Sequence, residues 1–158
     1  MLDAPAFRQV MKAFPTGVTV VTALGDGGRP VGLTVNSFTS VSLDPPLVLV
    51  CLDRNSASHD QVIAARTFVV NILAADQGSL AVRFAADPAG GRFNGVGWWA
   101  GPGGVPVLAG VAAWLFCTLD DVHSAGDHSI LVAGASDGAR GAGEALAFYL
   151  GSYGAAAR

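Results

Sequence analysis

Apolar and polar residues fall along the chain in short blocks, and each block predicts an element. Phe7, Val10, Met11 and Phe14 recur at the i, i+3, i+4, i+7 spacing of one helical face, with Asp3 before Pro5 as a start and Pro15 as a stop. The β-branched run Thr16-Gly17-Val18-Thr19-Val20-Val21-Thr22 predicts a strand, closed by a turn at Gly25-Asp26-Gly27-Gly28. A second strand is predicted over Val31–Phe38, folding back on the first as a hairpin. Leu47–Leu52 is continuously apolar, as a strand covered on both faces would be. Ser58 followed by Gln61 has the form of a capping box and predicts a short helix from about Ser58 to Ala65. Thr67–Leu73 predicts a fourth strand, and Asp76 opens a second short helix through Leu80, Val82, Arg83 and Phe84. Residues 87–104, rich in Gly and Pro around Trp98 and Trp99, read as a long surface excursion. Val111–His123 and His128–Ala135 predict two strands joined by Ser-Ala-Gly-Asp, and Ala145–Leu150 a last one before a small-residue tail prone to fray.

About seven strands punctuated by glycine turns, with helices only as short plugs, predict an all-β-dominated, antiparallel, closed or nearly closed barrel. One domain over residues 1–158 accommodates it. The βαβ rhythm and the glycine-rich phosphate fingerprint of a Rossmann site are both missing from the sequence.

Composition adds an interface to this picture. Hydrophobic residues make up 51% of the chain and charged ones 13%, more apolar surface than a monomer readily hides, so a second subunit is expected. The net charge is −3, Lys12 is the single lysine, and the arginines are scattered, which argues against nucleic acid as a partner. No apolar run reaches the ~18 residues of a membrane span, and the Asp3 helix does not read as a signal peptide, so a cytoplasmic protein is expected. Cys51 and Cys117 sit in apolar runs and are expected as buried free thiols.

Three constellations could carry chemistry. Thr34, Asn36, Ser37 and Ser40 place neutral donors and acceptors along one strand end; they suit a heterocycle of carbonyls and ring nitrogens, or equally an exposed serine-rich turn. Asn55, Ser56 and Ser58, beside Arg54, precede a helix and could meet an anion or merely cap it. His128 follows Gly126-Asp127, where a carboxylate can fix its tautomer; His123 on the facing strand brings no third ligand, so no metal is expected. Glu144 is the only glutamate, and no catalytic triad or glutamate pair is present in the sequence. A chain so poor in acids and bases points to a cofactor for any reaction.

In this order, "FRQVMKAFPTGVTVVTA", "GLTVNSFTSVSLDPPLVLVCLDRNSASHD", "FVVNILAADQGSLAVRFA" and "VHSAGDHSILVAGA" resemble the flavin reductase domain family, over about residues 7–153. The resemblance implies an FMN-binding split β-barrel of Greek-key type and a homodimer. It further implies NAD(P)H-dependent reduction of FMN or FAD, with NADH or NADPH as co-substrate and reduced flavin passed to a partner oxygenase. By position it implies that Thr34, Asn36 and Ser37, with Ser40 less firmly, meet the flavin ring, and that Asn55, Ser56 and Ser58 meet its phosphate. Arg83 and Phe84 would reach the ribityl and phosphate side, while His128 and Tyr153 would border the nicotinamide. Where the family often carries arginine on both sides of a glycine near the end, this chain has Leu150 and Ser152 around Gly151, leaving fewer cations for a 2′-phosphate. Other activities on the same barrel (ferric reduction, or oxidation of the pyridoxamine-phosphate type) and a non-catalytic flavin-binding module are the alternatives.

Overall fold

The computed structural model describes residues 1–156. In chain order its elements are α1 (Ala4–Met11), β1 (Thr16–Gly17), β2 (Thr19–Leu24), β3 (Pro30–Val35), β4 (Phe38–Leu43), β5 (Pro46–Asp53) and α2 (His59–Ala65). They continue with β6 (Thr67–Ile72), α3 (Gly78–Ala86), β7 (Trp98–Ala100), β8 (Pro106–Leu108), β9 (Ala113–Ala125), β10 (His128–Arg140), β11 (Leu146–Tyr149) and β12 (Ser152–Ala155). The main sheet has seven antiparallel strands in the order β3-β2-β6-β9-β10-β5-β4.

Two residues determine its shape. The edges β3 and β4 are joined only by Asn36 and Ser37. Flat, seven strands at ~4.8 Å spacing would hold those edges roughly 29 Å apart, while three peptide steps reach at most about 11 Å. The sheet therefore rolls into a barrel, split between β3 and β4, where no ladder forms. Its interior is read off alternate positions: Val21 and Ala23, Leu33 and Val35, Val50 and Leu52, Phe68 and Val70, Cys117 and Leu119, Leu131 and Ala133 form one buried cluster. Antiparallel ladders and few short helices confirm the expected fold class, and the β5-to-β6 crossover through α2 supplies its Greek-key character.

A second cluster covers the outer face of β2 with Val18, Val20, Leu73, Ala81, Phe84, Leu108 and Leu146. Phe84 of α3 is fully buried there, worth about 2–3 kcal/mol for a Phe-sized side chain. Gly32 makes this possible, since a Cβ at that position would lie 3.0 Å from the Phe84 ring and 3.1 Å from the Val21 carbonyl.

The structure corrects several element predictions. The strand expected over Val31–Phe38 breaks at Asn36-Ser37, and residues 38–43 form a separate edge strand because a tight turn at Asp44-Pro45 folds β5 back along it. The excursion at 87–104 contains β7, paired with β8, and the tail expected to fray pairs as β12 along β11. The capping box at α2 does not form: the Ser58 hydroxyl donates to the Gly32 carbonyl instead, and Gln61 donates to Ala57. The apolar face of α1 is not packed either. No residue of α1 is buried, and Phe7, Val10 and Phe14 are more than half exposed.

Candidate functional site

α1 and the segment after it lie across the split of the barrel and enclose a cleft of about 870 Å³, within the size range of small-molecule sites. Three kinds of wall meet there. Asn36, Ser37 and Thr39 bring neutral polar groups from the β3–β4 junction, Phe14, Phe38 and Phe148 bring flat apolar surface, and Arg8 and Lys12 bring the only charges among its lining residues. Among the described residues no carboxylate or histidine lines it. Asn36 and Ser37 reach the cleft because the chain must leave β3 there to start β4. The junction is fixed by the Cys51 amide, which donates to the Ser37 carbonyl (3.0 Å), and by the Ser37 hydroxyl, which donates to the Cys51 carbonyl (3.0 Å). The Asn36 amide makes no hydrogen bond with the described residues and remains free to pair with a ligand. Thr16, also on the wall, holds a buried hydroxyl with no hydrogen-bond partner among the described residues, a cost of roughly 1–3 kcal/mol that a group closing on the cleft would relieve.

The other expected site residues are not among those lining the cleft. The Thr34 hydroxyl donates to the Ala81 carbonyl at 2.6 Å and so secures α3, on the opposite side of β3 from its neighbours Leu33 and Val35. Ser40 is exposed on β4, where Thr39 rather than Ser40 lines the cleft. Asn55, Ser56 and Ser58 form a self-bonded turn: the Asn55 amide donates to Asp53 Oδ1 (2.8 Å), the Ser58 amide to Ser56 Oγ (3.3 Å), and the fully buried Ser58 hydroxyl to the Gly32 carbonyl (3.3 Å). That last bond joins the turn to the strand that carries Thr34.

Arg83 donates to the Asn94 carbonyl (2.7 Å) and stands 3.9 Å from Asp87, on the surface. Phe84, expected beside a ligand, is a core residue. Tyr153 lies one ring behind the cleft, its centroid 5.1 Å from that of Phe148. His128 sits at the tip of the β9–β10 hairpin with Nδ1 2.7 Å from Asp127 Oδ1. The pairing holds the Asp127 carboxyl below the usual carboxylate range, first through the hydrogen bond and then through charge, and Arg8 of the cleft wall adds to it. His123 faces Ile130 across the ladder rather than His128.

Sequence reasoning missed Arg8, Lys12, Phe14, Thr16, Gly17 and Phe148. The periodicity of α1 gave its apolar face but not what that face adjoins. It also missed Arg92, a buried guanidinium that donates to the Gly32 and Asp87 carbonyls and whose pKa is lowered by burial, with Asp87 acting against that. Cys117 is buried and free as expected, its thiol pushed up to about 12; Cys51 is free but only half-buried, on the cleft wall.

Residues 11–157 match the family model described as flavin reductase like domain. A stachydrine N-demethylase reductase subunit of Rhizobium meliloti is 48% identical over 132 residues, which are 84% of this chain and 57% of that protein. An FMN reductase (NADH) of Agrobacterium fabrum is 42% identical over 152 residues, covering 96% of this chain and 86% of that one. Among solved structures, the NADH:FAD oxidoreductase of Streptomyces globisporus in complex with NAD and FAD fragments superposes with a TM-score of 0.91 at 39% identity, over 98% of this chain and 93% of that one. The chain thus spans little more than half of the first relative and most of the other two.

Proposed function

The chain belongs to the flavin reductase like family, and from that membership we propose that it is an NAD(P)H-dependent flavin reductase, passing hydride from nicotinamide to FMN or FAD and supplying reduced flavin to a partner monooxygenase. One observation carries this reading: a large cleft with aromatic walls, neutral hydrogen-bonding groups and two cations, but no carboxylate or histidine for acid–base chemistry. The donor set fits a flavin. The Asn36 amide and Thr39 can pair with ring carbonyls and nitrogens without stranding a charge, Phe14, Phe38 and Phe148 can cover the ring faces, and the Thr16 hydroxyl lacks a partner. Bound flavin supplies the two-electron chemistry that these side chains lack.

The chain's contribution is then placement and electrostatics. Arg8 and Lys12 favour negative charge in the cleft, and the aromatic walls exclude water. His128 is a positioning group. Because the Asp127 carboxylate can only accept, His128 Nδ1 carries the proton and Nε2 presents a lone pair to a nicotinamide carboxamide N–H. The direct test mixes the purified chain with NADH or NADPH and with FMN or FAD, and follows loss of reduced nicotinamide absorbance. Turnover with at least one pair is expected; no consumption with any pair would overturn the proposal.

A homodimer belongs to the same proposal. Phe7 and Val10 of α1 are 55% and 61% exposed, beside a cleft that the same helix walls with Arg8 and Met11. A second copy covering this face would close the cleft and remove the apolar surface from water. The wild type should sediment as a dimer and the double variant Phe7→Asp, Val10→Asp as a monomer; a monomeric wild type would sink this part. A cytoplasmic location goes with a nicotinamide-dependent role, and no helix among the described residues is long and apolar enough to cross a membrane.

A further inference from the structure

His59, at the start of α2, is buried, and both of its ring nitrogens are engaged. Nδ1 lies 2.7 Å from Asp60 Oδ1 and Nε2 lies 2.9 Å from Ser129 Oγ. A carboxylate only accepts, so Nδ1 carries the proton and Nε2 accepts from the Ser129 hydroxyl. The order Ser, His, Asp is that of a nucleophile-activating triad. Ser129, however, is itself buried, 6% exposed, and lies outside the cleft. A substrate has no path to its oxygen, so the constellation holds rather than reacts.

What it holds is the hairpin tip. Ser129 directly follows His128, and in an extended strand the two side chains point to opposite faces, one into the protein and one toward solvent. The same tip is joined to the loop before α2 at two further points: the Arg54 amide donates to the Asp127 carbonyl (3.0 Å), and the Arg54 guanidinium donates to Ser124 Oγ (3.2 Å). The guanidinium contact is exposed and competes with water, whereas the His59–Ser129 bond is sealed from it. We propose, on the flavin reductase reading above, that His59 is a positioning residue for the nicotinamide: through Ser129 it fixes the Asp127-His128 turn against the Asn55–Ser58 loop. Beside the ladder in which His128 pairs with Asp53, this buried bond holds the side chains of two segments from distant parts of the sequence against each other.

The test uses the purified chain with three substitutions. Ser129→Ala removes the hydroxyl, His59→Asn keeps an N–H where Nδ1 stands but loses the reach to Ser129, and His59→Gln restores an acceptor near the position of Nε2. For Ser129→Ala and His59→Asn, KM for the nicotinamide should rise roughly tenfold, the scale of one lost buried hydrogen bond. Flavin affinity should stay within about twofold of wild type, kcat should change less than KM, and the Arg54 amide should exchange with deuterium about tenfold faster. His59→Gln should recover most of both effects. Wild-type KM in Ser129→Ala would overturn the assignment, as would a glutamine variant no better than the asparagine one. A wild-type chain that oxidises no reduced nicotinamide would instead remove the flavin reductase reading. Arg54 exchange would then still decide whether the clamp exists, with acceleration in Ser129→Ala supporting it and an unchanged rate ending it.

Discussion

Replacing Asn71 by leucine should cost about 3–5 kcal/mol of folding stability, although the two side chains are nearly equal in size. Asn71 lies on β6 and is fully buried. Its Nδ2 donates to the Val20 carbonyl and to Thr22 Oγ1, both at 3.0 Å, and its Oδ1 accepts from the Leu108 amide at 2.8 Å. The Thr22 hydroxyl donates onward to the Pro106 carbonyl at 2.6 Å. One amide thus stitches β2, β6 and β8 together at a place that water cannot reach. Leucine would leave the Leu108 N–H orphaned and the Val20 carbonyl and Thr22 hydroxyl without their donor, at roughly 1–3 kcal/mol for each group that finds no substitute. Against a typical total of about 5–15 kcal/mol, the loss should lower the thermal midpoint by roughly 6–20 °C, at about 2–4 °C per kcal/mol for a chain of this size. Denaturant melts of the two proteins measure it. A loss below about 1 kcal/mol would show that the network is dispensable.

That network also shows where the sequence was readable and where it was not. Unbroken β-branched and apolar runs through β2, β5 and β6 declared the strands, because strand propensity and apolar run length are local properties of the chain. The edge strand β4 was harder, since its Thr39, Ser40 and Ser42 read as turn chemistry and only pairing with β5 makes them a strand. At the site, Asn36 and Ser37, expected as ring contacts, do line the cleft, although the junction that puts them there was read as continuous strand. Thr34, Ser58 and Phe84, expected as ligand contacts, each also have a protein partner that the sequence did not announce: the Ala81 carbonyl, the Gly32 carbonyl and the cluster on the outer face of β2. Conversely, Phe148 and Gly17 enter the cleft only because β1 pairs with β11, a contact between chain segments more than a hundred residues apart that no local pattern announces. Hydrophobic period reports which face is buried, not against what.

Gly17→Trp should weaken flavin binding about a hundredfold while leaving the barrel folded. Gly17 is exposed in β1, pairs with Ala147, and has ordinary extended geometry rather than a left-handed backbone. A Cβ built there meets nothing within 4 Å, so a side chain grows into open space and not into the core. Because Gly17 lines the cleft, that space is the room between the aromatic walls and the β3–β4 junction. An indole offers about 150–250 Å² of surface and would occupy volume that a ring system of similar size needs. Affinity for FMN or FAD should fall by about two orders of magnitude, close to 3 kcal/mol, with a proportional loss in nicotinamide oxidation at limiting flavin. The thermal midpoint should stay within about 3 °C, since no buried contact is removed. Gly17→Ala, too short to reach across the cleft, should bind flavin within about threefold of wild type. Flavin titrations of all three proteins separate the possibilities: tryptophan tolerated at full affinity would place the flavin elsewhere, whereas a graded loss from glycine through alanine to tryptophan would follow the volume removed from this cleft.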